Sequence, residues 1–149
     1  PGRRVFIVTQ NVDDLHERAG SRRLIHMHGE VRKLRCVGAG HVFDWSDDAD
    51  CETQCPECYA SVRPHIVWFG EMPLYMDRIG QAMEETGVFC AIGTSGKVYP
   101  AAGFVSEANS HGALSVEVNP EVTGGPFDLR LVGPATQQVP LLVDALAGN

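Results

Sequence analysis

The sequence predicts an α/β protein built on a parallel sheet and interrupted by a small metal-binding module. Three observations carry this. Apolar, β-branched runs recur at Val5–Thr9, Val88–Ile92 and Leu114–Val118, with helical stretches between and after them, the alternation expected of a parallel sheet. The 149 residues are 44% hydrophobic and 21% charged, enough for an ordinary core. Of five cysteines, four fall between Cys36 and Cys58, and clustered cysteines in a chain without a secretion signal read as a metal site before they read as disulfides.

The formal net charge of -7 argues against a nucleic-acid-coating protein and suits a basic peptide substrate. No run of about 18 apolar residues is present, so no membrane span is expected. The opening Pro1-Gly2-Arg3-Arg4 resembles neither a signal peptide nor a natural start. It reads as the middle of a longer, cytoplasmic protein.

The run Val5–Thr9 is expected as a buried parallel strand. It ends in Thr9-Gln10-Asn11-Val12-Asp13-Asp14, and ligand contacts in open α/β sheets cluster past the carboxyl ends of strands. Those amides and carboxylates suit a carboxamide or sugar hydroxyls. They equally suit a helix cap before Leu15–Ala19, with Gly20 as its stop.

Leu24-Ile-His-Met-His-Gly-Glu30 places two imidazoles on one face of an extended segment. Gly29 lets a ligand or another backbone approach His28. An imidazole, with an ordinary pKa near ~6.5, exchanges protons at neutral pH. The plain alternative is a pair of polar residues at a strand end.

From Val31 to Ser61 the pattern changes. Val42–Trp45 suggests a short strand, and Cys55-Pro56-Glu57-Cys58 is half of a zinc-ribbon-like clip. Cys36 opens the other half, but Ala39 stands where its partner belongs. Cys51 is the first choice for the fourth ligand and His41 the second. A redox Cys-x-x-Cys needs a helix N-terminus, and nothing here suggests one.

Ile66–Phe69 reads as a core strand or as an edge that pairs with an extended peptide. Met76, Ile79 and Met83 stand at helical spacing, ended by Gly87. Val88–Ile92 runs into Gly93-Thr94-Ser95-Gly96, and Pro100 opens a helix ending near His111. A strand, a Gly/Ser turn and a helix N-terminus together suit an anion or nucleotide. Cys90, in mid-strand, reads as a small hydrophobe. Leu114–Val118 ends in Asn119-Pro120-Glu121, a turn or a ribose contact. Thr123–Asp128 reads as loop, and Gln137–Leu146 as a helix packing Val139, Leu142, Val143 and Leu146 on the sheet.

Taken in order, Thr-Gln-Asn-x-Asp at 9–13, His-Gly-Glu at 28–30, Arg-Pro-His-x-Val-Trp-Phe-Gly-Glu at 63–71, Gly-Thr-Ser at 93–95 and Gly-Pro-Ala at 133–135 closely resemble the sirtuins, NAD-dependent protein-lysine deacylases, and above all their bacterial class III members. The resemblance implies a partial Rossmann-like parallel sheet with helices on both faces, formed by residues 1–32 and 62–149, and a zinc-ribbon module at 33–61. It implies acyl transfer from lysine to the ribose of ADP-ribose with release of nicotinamide, on acylated-lysine proteins.

By this resemblance His28 is the general base and His26 a structural neighbour. Gln10, Asn11, Val12 and Asp13 line the ribose and nicotinamide pocket. Gly93, Thr94 and Ser95 meet the phosphate and ribose side of NAD. Asn119, Pro120 and Glu121 meet the adenosine end, and Ala135 lies near the adenine. Val67, Trp68, Phe69, Gly70 and Glu71, with the Gly96–Tyr99 segment including Val98, flank a substrate lying as an added strand. Zn2+ on Cys36, Cys51, Cys55 and Cys58 is structural. The family's glycine-rich phosphate turn, and the Tyr and Arg that select succinyl or malonyl over acetyl, match nothing in this sequence. The alternative implied by the missing turn is a non-catalytic remnant that binds acyl-lysine peptides or a protein partner.

Overall fold

The computed structural model describes residues 4–148. Pro1–Arg3, part of the basic opening, lie outside the described residues. The chain packs as two compact units that divide between Asp77 and Arg78.

In the first unit β1 (Ile7–Thr9) pairs in parallel with β2 (Leu24–His26), Thr9 opposite His26. The expected first strand is thus shorter at its start, where Val5 and Phe6 are exposed. Between the two strands, α1 (Leu15–Arg18) is a single turn. Asp14 stands at its N-cap without a side-chain cap bond, Asp13 Oδ1 accepts the Leu15 N–H at 3.1 Å in a turn just before it, and Gly20 follows with a positive φ.

The second sheet of this unit is antiparallel. β3 (Gly29–Cys36) lies between β4 (Val42–Asp44) and β5 (Val62–Ile66), with a register shift between Glu30 and Leu34. Residues 37–61 therefore leave and re-enter through one β3–β5 stem. Ile25, Met27, Leu34, Cys36 and Cys55 form the buried core.

The expected strand at Ile66–Phe69 is corrected. β5 ends at Ile66, and Trp68 and Phe69 are exposed. A turn forms instead, in which the Glu71 N–H donates to the Trp68 carbonyl at 2.9 Å and Gly70 takes φ 89°.

α2 (Met76–Glu84) buries Ile79 and Met83, as its spacing predicts. In the second unit, β6 (Val88–Ile92), β7 (Leu114–Asn119) and β8 (Leu129–Val132) form a parallel sheet in that order. The strand β8 is missing from the sequence reading. The expected parallel strands are present, and among the described residues they fall in two hydrogen-bonded sheets, β1–β2 and β6–β7–β8.

A 3-10 turn at Ala101–Gly103 precedes α3 (Phe104–Ser110), which buries Phe104, Val105 and Ala108. Helical backbone thus opens at Ala101 behind Pro100 and closes at His111, as expected. α4 (Ala135–Ala147) opens two residues before its expected start. Val139, Leu142 and Leu146 are half-buried, but Val143 is exposed, contrary to expectation.

Candidate functional site

In the first unit, the two histidines of the Leu24–Glu30 stretch reach adjacent carbonyls of the segment after β1. His28 Nδ1 lies 3.1 Å from the Gln10 carbonyl oxygen, and His26 Nδ1 lies 3.1 Å from that of Asn11. A carbonyl oxygen only accepts, so each Nδ1 carries the hydrogen. In neutral His28 this leaves Nε2 with the lone pair, the atom that takes up a proton. His26 also places Nε2 2.7 Å from Glu17 Oε1. Both of its nitrogens face acceptors, the environment of an imidazolium. Burial opposes that charge, but the Glu17 hydrogen bond, the Asn11 carbonyl and the charges of Glu17 and Glu30 raise the His26 pKa. Burial likewise opposes the charge on Glu17, yet the His26 bond holds its carboxyl below the usual range.

Several backbone bonds fix this frame. The Met27 N–H donates to Thr9 O, Val31 N–H to Val12 O, and Asn11 N–H to Thr9 Oγ1. Val67 N–H donates to the His28 carbonyl at 2.9 Å, so the segment after β5 is fastened to His28 as well. Asn11 is exposed, whereas Gln10, Val12 and Asp13 are half-buried.

The Val67–Glu71 segment is held by Arg63. Its guanidinium makes a two-pronged bond to Glu71, at 2.5 and 2.9 Å, donates to Ile66 O at 2.8 Å, and stacks 4.4 Å above the Trp68 ring. Glu71 also accepts the Trp68 N–H at 2.9 Å. The Arg63 hydrogen bonds pull the Glu71 pKa down to about 2. The result is a rigid turn that presents Trp68 and Phe69 outward.

The metal expectation changes in one ligand. Ligand atoms of Cys36, His41, Cys55 and Cys58 all lie within 4.8 Å of one another, and Cys51 does not join them. Cys51 sits in an exposed turn closed by Asp50 and Thr53. His41 is brought in by the β3–β4 hairpin, where the Cys36 N–H donates to His41 O at 2.8 Å. Cys36 Sγ lies 3.4 Å from Cys58 Sγ, and His41 Nδ1 lies 3.4 Å from Cys55 Sγ. A tetrahedral zinc with Zn–S near ~2.3 Å sets its sulfurs somewhat under about 4 Å apart, so the donor set and spacing fit that ion. His41 Nε2 faces Glu57 Oε2 at 3.5 Å, leaving Nδ1 for the metal. Ala39, where a cysteine is expected, gives its N–H to Cys36 Sγ at 3.3 Å. That bond lowers the Cys36 pKa.

In the second unit, Gly93 and Gly96 both take φ 64°, bracketing Thr94 and Ser95 in a tight turn at the end of β6. The Asn119 amide donates to Thr94 O at 2.9 Å and to Glu117 Oε1 at 3.3 Å, so it braces this turn. Glu117, absent from the sequence reading, is 2% exposed. It accepts from the Thr123 N–H at 3.0 Å and from Thr123 Oγ1, and it pairs with Arg130 at 3.3 Å. The signal for it was a carboxylate inside the apolar run Leu114–Val118. Pro120, Glu121, Ala135 and Val98 are exposed.

A model of the Sir2 family matches residues 1–100. The NAD-dependent protein deacylase of Salmonella typhimurium is 54% identical over 147 residues, covering 96% of this chain and 54% of its own length. The chain thus spans about half the length of the curated relatives it matches. The solved complex of a Sir2 homolog with NAD has a TM-score of 0.87 at 36% identity, over 97% of this chain and 59% of that one. Sir2Af2 bound to a myristoylated histone peptide gives 0.76 at 32%, over 96% and 66%. With its first 100 of 149 residues under the family model, the chain belongs to the Sir2 family, the sirtuins.

Proposed function

We propose that the protein is an NAD-dependent protein-lysine deacylase in which His28 is the general base. The observation that carries this is the bond from His28 Nδ1 to the Gln10 carbonyl. It commits the ring to the tautomer whose Nε2 accepts a proton, the requirement for a base acting on a sugar hydroxyl. Two findings on relatives support the reading: one binds NAD and another a myristoylated histone peptide.

Each unit carries groups of the kinds that a dinucleotide takes. Amide and carboxylate groups of Gln10, Asn11 and Asp13, with the Val12 backbone, suit a carboxamide and a ribose. In the second unit the backbone of Gly93, Thr94 and Ser95 suits phosphate and ribose oxygens, Asn119, Pro120 and Glu121 the adenosine, and Ala135 the adenine. NAD supplies a glycosidic bond to nicotinamide whose cleavage opens the ribose carbon to the acyl-lysine oxygen. Within that chemistry, His28 Nε2 takes the proton of a ribose hydroxyl, and Nδ1 stays on the Gln10 carbonyl. The Arg63–Glu71 clamp holds Val67–Glu71 ready for an extended substrate backbone; in the second unit, the resemblance makes Val98 a substrate-binding residue.

Zn2+ on Cys36, His41, Cys55 and Cys58 is structural in this reading and joins residues 33–61 into one module. Succinyl and malonyl stand beside acetyl as candidate acyl groups through the class III resemblance, while the Tyr and Arg that select them match nothing in this sequence. The intended site is cytoplasmic. No helix among the described residues is long and apolar enough to cross a membrane.

The test is nicotinamide release by the full-length protein from NAD with acetyl-, succinyl- and malonyl-lysine peptides. His28→Ala should lower turnover by about 10²–10⁴ with the fold intact. Equal rates for the two proteins would refute the assignment.

A further inference from the structure

His26 and His28 divide the work on one short segment. Backbone bonds tie down its two ends, Met27 N–H on the Thr9 carbonyl and Val31 N–H on the Val12 carbonyl. Between them, the carbonyls of Gln10 and Asn11 accept from the Nδ1 atoms of His28 and His26, each at 3.1 Å. These two carbonyls belong to successive residues. The Gln10 carbonyl lies in the Gln10–Asn11 peptide and the Asn11 carbonyl in the Asn11–Val12 peptide, two planes that pivot on the Asn11 Cα. Freeing the second carbonyl loosens that pivot and, with it, the acceptor that fixes the His28 tautomer.

The His26 ring is set more firmly than its neighbour. It is 6% exposed, and its far nitrogen is anchored on Glu17 Oε1 at 2.7 Å, from α1. Glu30, on β3, is the other charged group acting on the ring, and Lys33 holds that carboxylate at 3.0 Å. Glu17 thus comes from a helix turn that begins immediately after the segment being held. The ring spans from that turn back to the Asn11 carbonyl.

We propose that His26, braced by Glu17, is a positioning residue: it pins the Asn11 carbonyl so that the Gln10 carbonyl stays where it orients His28 as a base. The catalytic part of this rests on the deacylase reading above. The positioning part is a property of the folded chain.

Two variants separate the role from mere bulk. His26→Phe keeps the ring volume and removes both nitrogens. His26→Asn places an amide N–H where Nδ1 stands, restoring the bond to Asn11 while losing Glu17. Two readouts are taken on the full-length protein. One is the kcat/KM for NAD in nicotinamide release. The other is the nitrogen NMR signature of His28, which distinguishes Nδ1–H from Nε2–H rings without any turnover.

His26→Phe should lower kcat/KM for NAD between about tenfold and a hundredfold, the scale of a small misplacement at a reacting centre. It should also move His28 from a pure Nδ1–H form toward a mixture. His26→Asn should recover most of both. An unchanged His28 signature in His26→Phe, or equal impairment of the two variants, overturns the proposal. Wild-type protein that releases no nicotinamide overturns the deacylase reading instead, and the NMR comparison still decides whether His26 positions His28.

Discussion

A Cβ atom on Gly29 would stand 2.0 Å from the His65 carbonyl oxygen. Gly29 opens β3 opposite Ile66 of β5 and takes φ 82°, so both space and backbone conformation demand a glycine directly after His28. The close approach brings Val67 N–H onto the His28 carbonyl. Gly29→Ala must therefore displace β5 or abandon the turn. We expect it to cost at least about 2 kcal/mol, from the positive φ and the backbone clash together. Denaturant unfolding measures this; a midpoint equal to wild type would show that the strands part without penalty.

The metal cluster makes a prediction that separates His41 from Cys51. Among the described residues, His41 is the one that places a donor among Cys36, Cys55 and Cys58. Cys51→Ala should keep one zinc per chain. His41→Ala should lose it to a chelator far more readily, because structural zinc sites are four-coordinate. Cobalt substitution gives the sharper reading, since three sulfurs with one nitrogen absorb differently from four sulfurs. His41→Cys should shift the wild-type spectrum toward the four-sulfur form. An identical spectrum in wild type and His41→Cys would place the fourth ligand elsewhere.

The Arg63–Glu71 clamp has a pH signature. Glu71 has its pKa lowered from 4.5 to about 2, chiefly by the Arg63 hydrogen bonds and then by the Trp68 N–H. A depressed carboxylate stabilises the fold fully above its unfolded value and loses that contribution as pH falls through the folded one. The clamp should stay closed at pH 4.5 and open only toward pH 2. Carboxyl carbon NMR of Glu71 checks the midpoint directly, and Arg63→Ala should return it toward 4.5. A wild-type midpoint already at 4.5 would mean that the clamp does not form.

Local spacing made part of this molecule readable. Val88–Ile92, Leu114–Asn119 and the Ile79/Met83 face of α2 announce themselves by runs and periods that the chain needs for burial. The Gly29 requirement was foreshadowed by a glycine beside a histidine. What escaped depends on partners distant in sequence. Ile66–Phe69 is bulky enough for a strand, but Glu71 folds the segment back onto Arg63 and exposes Trp68. His41 outranks Cys51 because a hairpin returns it to Cys36, whereas Asp50 and Thr53 hold Cys51 in an exposed turn. Glu17 and His26 are nine residues apart with no periodic relation, so their pairing follows only from the fold.

Glu117 shows in the sequence only as a carboxylate inside an apolar run, and its partners come from the fold. Its buried carboxylate joins the Asn119 amide, Thr123 and Arg130, and through Asn119 it reaches the Thr94 carbonyl. Burial alone raises a carboxylate pKa, but the Thr123 and Asn119 hydrogen bonds and the Arg130 charge outweigh it, so the Glu117 pKa is lowered. By the same sign argument, its contribution is present above the unfolded value near ~4.3 and fades as pH falls below it. Removing one partner of a buried network strands the others. Glu117→Ala should cost about 3 kcal/mol in denaturant unfolding at neutral pH, and the deficit against wild type should shrink on acidification. It should also loosen the Gly93–Gly96 turn, seen as faster amide exchange at Ser95, Gly96 and Lys97. A variant that unfolds like wild type at neutral pH, with protected amides in that turn, would show that Thr123, Asn119 and Arg130 hold their places without the carboxylate.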